Sequence, residues 1–359
     1  MIGSASLFLD NEIILLFLLL LNKYVMSYKI SDNTRCGVIG YGTWATALVH
    51  TLELNKKKIW WHIRNEEVLE GLLTEGRNVK YLSDVDFDTQ FIHATQDINE
   101  VIRNCEIILI AAPSAYLKTF MADMTESLEG KFILSATKGI IPDEYITITE
   151  YFKETFGLPY SNLGVISGPS HAEEVSRDRL SYLTVACKDI DNAHLIGEMF
   201  STSSLKIRYS EDIYGIEYAG ILKNIYALAC GLASGLGYGD NFRAVLTAAG
   251  AKELTRFINE SYPFERDTID AAYLGDLLVT SYSNFSRNRR LGQLIGKGCS
   301  VKSALNEMTM VAEGYFAAAC LKKVNEKFNI SLPIADMVYD VLYKKASPRK
   351  KMRELTQIL

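Results

Sequence analysis

The sequence predicts a two-domain α/β protein: an N-terminal, mainly parallel sheet with helices on both faces, followed by an all-helical domain. Three observations carry that prediction. At 359 residues the chain exceeds the usual size of one domain. Its first part alternates short apolar strands with helix-length stretches, the pattern of a parallel sheet covered by helices. After about Glu211 the strands stop, and long stretches rich in Ala, Leu and Gly follow, broken by short polar loops. The division read from this is an extension at 1–33, a sheet domain at 34–211 and a helical domain at 212–359.

The extension holds an apolar run at residues 13–21, too short to span a bilayer as a helix. Asp10 and Glu12 stand where a signal peptide carries basic residues, and no clear cleavage site follows. The expected reading is a mis-assigned start or a disordered tail, with Met26 as the working start; a membrane-proximal tail is the alternative. Stable membrane insertion is not expected. The first strand is 36–39, followed by a glycine turn and a helix of small and apolar residues. Further strands are read at 58–62, 106–112, 131–136, 163–166, 182–186 and 205–209. Three of them end in breaks: Ala111-Ala112-Pro113-Ser114, Thr137-Lys138-Gly139 and Ser167-Gly168-Pro169-Ser170. Helices are read at 214–232, 241–259, 268–282, 301–307 and 310–325, and the small residues of 312–319 permit close packing inside the domain or against a second subunit.

Composition narrows the function. The net charge of -5 disfavours a general polyanion-binding role, so no nucleic acid is expected. The six cysteines lack any CxxC pair and read as reduced, mostly buried thiols of a cytoplasmic protein. Five histidines and these cysteines are too scattered to specify a metal site.

Gly40-Tyr41-Gly42-Thr43-Trp44-Ala45 lies between a strand and a helix, the setting of a Rossmann-type dinucleotide site. Gly40 allows the tight turn, Gly42 lets the backbone approach a pyrophosphate, and Ala45 is small enough for close helix–strand packing. The second strand runs into His62-Ile63-Arg64-Asn65 with no acid before Glu66. The acid that usually binds the ribose of NAD is therefore missing, and Arg64 can stack on adenine or pair with a ribose phosphate. The cofactor is read as NAD or NADP.

Lys223 stands in the middle of an otherwise apolar, small-residue helix, Tyr218-Ala219-Gly220-Ile221-Leu222-Lys223-Asn224. A lysine partly buried there has reason to lower its pKa and exchange a proton. The cluster Ser286-Arg287-Asn288-Arg289-Arg290 supplies planar cations and neutral donors suited to phosphate.

Together with Ala136-Thr137-Lys138-Gly139, Ser167-Gly168-Pro169-Ser170, Gly237-Tyr238-Gly239-Asp240-Asn241 and Gly275-Asp276, these motifs resemble the bacterial NAD(P)-dependent glycerol-3-phosphate dehydrogenase family. The resemblance runs from about Thr34 to the last helices. It implies reduction of dihydroxyacetone phosphate to sn-glycerol 3-phosphate, a precursor for phospholipid synthesis, with Lys223 as general acid/base. It places Lys138 and Asn224 on the substrate, Asp276 and Thr280 on its polar groups or on Lys223, and Arg287 and Asn288 on its phosphate. Ser286, Gly168 and Ser170 fall in the same pocket. Tyr41, Thr43, Trp44, His62, Arg64, Ala172, Val311 and Glu313 match positions that contact or flank the dinucleotide, as do Gly40, Gly42, Lys138 and Arg287. A homodimer is expected. Phe242 and Tyr273 depart from the smaller residues common in the family and are expected to crowd the helical loops. Alternatives are a related dehydrogenase of a hydroxy acid or sugar acid, and a non-catalytic nucleotide sensor.

Overall fold

The computed structural model describes residues 34–359; the expectations for residues 1–33 lie outside them. The first part of the chain runs β1 (Cys36–Ile39), α1 (Thr43–Leu54), β2 (Ile59–His62), α2 (Glu66–Glu75), β3 (Ile92–Thr95), α3 (Ile98–Asn104), β4 (Ile107–Ile110) and α4 (Leu117–Met121). It continues through β5 (Phe132–Ser135), α5 (Ile148–Phe156), β6 (Leu163–Ser167), α6 (Ala172–Val175), β7 (Ser181–Cys187), α7 (Ile190–Phe200) and β8 (Leu205–Ser210). From there the described chain is helical: α8 (Ile213–Gly235), α9 (Asp240–Ser261), α10 (Asp276–Tyr282), α11 (Arg287–Gly296), α12 (Val301–Glu307), α13 (Glu313–Asn325), α14 (Pro333–Tyr343) and α15 (Pro348–Leu355). A sheet domain of Rossmann type is thus followed by a helical one.

The eight strands form one sheet in the order β3-β2-β1-β4-β5-β6-β7-β8. All neighbours are parallel except β6 and β7. The strand order reverses between β1 and β4, so their connections leave to opposite faces and open a crevice beyond the carboxyl ends. The breaks after β1, β4, β5 and β6 all meet that edge. Both faces of the central strands are covered: Val38, Leu109 and Leu134 pack into one apolar layer and Ile39, Ile108, Ile110 and Ile133 into the other. Near-continuous apolar strands follow from that double burial.

The helical part is built on α8, whose residues are buried almost throughout its length. Asp212 caps its start, accepting from the Gly215 amide at 2.9 Å. The same carboxylate pairs with Arg266 at 2.6 Å and accepts from the Tyr273 hydroxyl at 2.6 Å. Tyr273 therefore does not crowd the loops; it completes a buried network at the start of α8. Phe242 packs on Tyr238 with the rings tilted, centroids 4.7 Å apart, and is likewise accommodated.

Against α8 lies α11, a helix the polar Arg-Asn-Arg-Arg stretch concealed. The two backbones touch: a Cβ at Gly231 would overlap the Arg289 carbonyl oxygen, and one at Gly292 would overlap that of Leu228. Gly235 and Gly296 repeat the arrangement one turn on. The helix read at 268–282 instead begins with a π-helical turn, Ala271–Gly275, because Asp270 caps it there. That read at 310–325 begins at Glu313, since Ala312 is extended. The alanine-rich face of 312–319 packs inside the chain, with Ala317 and Ala318 buried in the core shared with α8. Edge strand β3 is only half-buried, and its Ile92-His93-Ala94-Thr95 sequence gave no apolar run. No helix among the described residues is long and apolar enough to cross a membrane.

Gly292→Ala is expected to lower stability by about 3 kcal/mol, through overpacking against backbone that cannot yield. A urea midpoint unchanged from wild type would contradict that contact.

Candidate active site

The crevice at the strand ends opens into a cleft of about 190 Å³ lined from both halves of the chain. Gly42, Thr43 and Trp44 enter it from the start of α1, and Ala111, Ala112 and Pro113 from the end of β4. Lys138 and Ser170 come from the loops after β5 and β6; Lys223, Asn224 and Thr280 face them from α8 and α10. The start of α11 contributes Ser286, Arg287 and Asn288, and Val311 and Glu313 complete the far wall.

At its base is an ion cluster. Asp276 gives one carboxylate oxygen to Lys223 and the other to Lys138, the latter at 2.9 Å. Lys138 also donates to the Gly168 carbonyl at 2.8 Å. Lys223 and Asp276 are buried, only 6 % and 1 % exposed. Burial drives Lys223 below the ordinary lysine range, against the pull of Asp276. Burial alone would raise Asp276, but the two ammonium groups hold it ionised, below its ordinary value. Two ammonium groups against one carboxylate leave an excess of positive charge at the base of the cleft, with Lys138 partly open to it.

Beside the cluster, amides are locked in a chain. Asn224 Nδ2 donates to the Lys138 carbonyl at 3.0 Å, and Asn288 Nδ2 donates to Asn224 Oδ1 at 2.8 Å. Asn288 Oδ1 accepts from the Gly314 amide at 2.8 Å. Thr280 donates to the Asp276 carbonyl at 2.7 Å and Ser170 to that of Gly168 at 3.0 Å. Ser286 caps α11, accepting from the Arg289 amide. Arg287 reaches the Met310 sulfur and has no carboxylate partner among the described residues, so its charge is available at a helix N-terminus, the setting that favours phosphate.

The residues fit a dinucleotide. Gly40 has φ 120°, and a Cβ there would lie 2.7 Å from the Ala111 carbonyl. Gly42 caps α1 without any side-chain hydrogen bond, and a Cβ on it would meet open space. The first amides of α1 are thus left to a ligand. Tyr41 lines an adjoining cleft of about 560 Å³ with Tyr81, Phe120 and Met310. Glu313 accepts from the Ser114 amide and hydroxyl at 3.1 and 2.7 Å, tying α13 to the end of β4. Burial raises its pKa, opposed by Ser114 and by the charge of Arg287.

Two family models match the chain: the NAD-dependent glycerol-3-phosphate dehydrogenase N-terminus over residues 35–193 and its C-terminus over 212–353. The chain belongs to the NAD-dependent glycerol-3-phosphate dehydrogenase family. It is 33% identical over 323 residues to the glycerol-3-phosphate dehydrogenase (NAD(P)+) of Clostridium botulinum (strain Eklund 17B / Type B), covering 90% of this chain and 97% of that one. The corresponding protein of Macrococcus caseolyticus (strain JCSC5402) is 34% identical over 312 residues, 86% and 93% of the two chains. The crystal structure of glycerol-3-phosphate dehydrogenase from Coxiella burnetii superposes with a TM-score of 0.83 at 27% identity, over 90% of this chain and 98% of that one. This member of the glycerol-3-phosphate dehydrogenase family is an NAD(P)-dependent oxidoreductase.

Most of the residues singled out in the sequence meet at the cleft. Gly168, Asp276 and Ala172 stand directly behind or on its wall. His62 and Arg64 line neither cleft, but both rest on Phe120, which lines the second. His62 is buried at the end of β2, its pKa lowered to about 4 by burial. Arg64 donates to the Thr119 carbonyl at 2.8 Å and lies over the Phe120 ring. Sequence reasoning missed the roles of Ser114 and Met310, which pair with Glu313, Thr43 and Arg287 across long sequence separations. It also passed over His171 on the cleft wall, although that residue directly follows the Ser167–Ser170 motif.

Asp276→Asn takes the counter-charge from the buried Lys223 and the part-buried Lys138 and is expected to cost about 3–5 kcal/mol of stability. Equal urea midpoints for variant and wild type would show that the cluster is not buried as described.

Proposed function

We propose that the chain reduces dihydroxyacetone phosphate to sn-glycerol 3-phosphate, with Lys223 as proton donor. The observation that carries this reading is the placement of a buried, acid-paired lysine opposite an arginine at a helix N-terminus, across one small cleft. In this reading Arg287, the start of α11 and Asn288 take the phosphate, Ser286 and Ser170 lie beside it, and the ketone falls against Lys223.

Lys223 gives its proton to the carbonyl oxygen as the C–O double bond becomes a single bond, and Lys138 adds positive charge where the oxyanion develops. Asp276, with Thr280 and Gly168 behind the cluster, holds both lysines in place. Asn224 fixes the Lys138 backbone. When bound, a reduced nicotinamide dinucleotide supplies the hydride that the carbonyl carbon takes up. Gly40 and Gly42 would hold its pyrophosphate at the start of α1; Tyr41, Thr43, Trp44, Ala172, Val311 and Glu313 would flank it, with Lys138 and Arg287 at its substrate end. His62 and Arg64 would border its adenosine end, where Arg64 would have to leave the Thr119 carbonyl to reach a ribose phosphate. Binding of the remote phosphate positions a small ketone that has few other handles.

A cytoplasmic role in supplying glycerol 3-phosphate for phospholipid synthesis follows from this reaction. A homodimer belongs to the same reading. Its surface is not the small-residue face of α13, which the chain itself covers.

Consumption of NADH and of NADPH with dihydroxyacetone phosphate, against the unphosphorylated ketone, tests the proposal. Turnover should require the phosphate, and Arg287→Ala should lower kcat/KM by about 10–100-fold, the loss of one charge-assisted contact. Equal turnover of both ketones would overturn it.

The pH dependence has a definite sign. Lys223 donates only when protonated, and burial lowers its pKa. Ketone reduction should therefore fall with rising pH below the range of an ordinary lysine, while oxidation of glycerol 3-phosphate should rise there. A reduction rate flat through that range would contradict the assignment.

A further inference from the structure

His171 follows β6 and stands on the cleft wall with Lys223, Asn224, Thr280 and Phe285. Its ring packs against Phe285, centroids 5.8 Å apart. Its Nε2 is buried and makes no hydrogen bond of good geometry, although the Val279 backbone is close enough to favour the protonated ring. Among the described residues lining the cleft, only this nitrogen and Trp44 Nε1 are side-chain polar atoms buried without such a bond. Trp44 lies on the dinucleotide side, at the start of α1; His171 lies on the side of Lys223.

The ring is neutral over the physiological range. Burial, with the positive charge of Lys223 beside it, lowers its pKa to about 4. A neutral imidazole nitrogen next to two ammonium groups is a poor site for a further cation and carries no charge to attract a phosphate. Its natural complement is a hydroxyl, which can either donate or accept and so satisfies either tautomer.

Most of the other polar side chains around Lys223 already have protein partners; of the rest of the lining, Trp44 and Arg287 face the dinucleotide and phosphate ends, and Glu173 carries a carboxylate that repels an anionic ketone. Both oxygens of Asp276 are taken by lysines. Thr280 and Ser170 donate to backbone carbonyls, Asn224 is engaged at both ends of its amide, and Thr137 donates to the Ala112 carbonyl at 2.7 Å. Dihydroxyacetone phosphate has three polar sites. The proposed function gives its phosphate to Arg287 and its carbonyl oxygen to Lys223, which leaves the terminal hydroxyl.

We infer that His171 is a specificity-determining residue that binds the terminal hydroxyl of the substrate through Nε2. The inference rests on the proposed reaction, since it uses the orientation that Lys223 and Arg287 impose. A buried polar atom left unpaired costs more than the bond itself contributes, so such a residue selects against a substrate that lacks the hydroxyl.

The test compares dihydroxyacetone phosphate with hydroxyacetone phosphate, which carries a methyl group in place of the hydroxymethyl group. The wild-type protein should favour the former by at least about tenfold in kcat/KM. His171→Phe should remove most of that preference, by lowering kcat/KM for dihydroxyacetone phosphate much more than for hydroxyacetone phosphate. His171→Gln, whose amide can again meet a hydroxyl, should recover part of it. Equal use of both ketones by the wild type, or an equal effect of His171→Phe on both, would overturn the inference and leave the reaction standing. An equal effect accompanied by weaker NADH binding would place His171 on the cofactor instead. Failure of the wild type to reduce either ketone would count against the proposed reaction. Should His171→Phe not fold, the wild-type preference and His171→Gln still decide the matter.

Discussion

The ammonium group of Lys223, buried in the middle of α8, is expensive unless a carboxylate meets it, and Asp276 does so from α10. Much of the site is arranged around that pairing. Asp276 is also the partner of Lys138, which the loop after β5 delivers from the sheet domain. One carboxylate thereby links the sheet, α8 and α10 at a single point. It keeps two cations close together at the base of a cleft without cancelling their charge. In the proposed reaction that surplus faces the oxygen on which negative charge grows as the carbonyl is reduced.

The geometry around the cluster is set by backbone contact more than by side-chain packing. Glycines at 231, 235, 292 and 296 bring α8 and α11 together with nothing between them. That closeness carries Asn288 to within 2.8 Å of Asn224 and places Arg287 at the mouth of the same cleft. Asn288 then holds the Gly314 amide, and Glu313 next to it reaches across to Ser114 at the end of β4. Helix α8 next to Lys223, the start of α11 next to Arg287 and the end of β4 are therefore tied together through Asn224, Asn288, the Glu313-Gly314 segment and Ser114. Asp212, Arg266 and Tyr273 anchor the start of α8 and the turn that leads into Asp276.

The parallel sheet, the glycine turn and the unusual lysine were legible in the sequence because each is a local signal. Cys36–Ile39 reads as a buried strand by composition, and Lys223 is conspicuous among Ala, Gly, Ile and Leu. Helix α11 was hidden because its first turn is Arg-Asn-Arg-Arg and its contact with α8 runs through glycine, one of its four buried residues. A glycine that permits backbone contact leaves no hydrophobic period to detect. Tyr273 looked like a source of crowding because its partner, Asp212, lies 61 residues away. His171 could not be distinguished from an ordinary loop residue until the fold placed its ring on the cleft wall with Nε2 buried. Pairings of this kind are set by tertiary structure, and no spacing along the chain announces them.

The proposed reaction turns on proton transfer by Lys223. A single-turnover measurement tests it most directly: oxidation of bound reduced cofactor on mixing with saturating dihydroxyacetone phosphate, for wild type and Lys223→Ala, with the cofactor dissociation constant measured alongside. The chemical step of the variant should be slowed by about 10²–10⁴-fold, with cofactor affinity nearly unchanged. A Lys223→Ala step within a few fold of wild type would contradict proton transfer by Lys223.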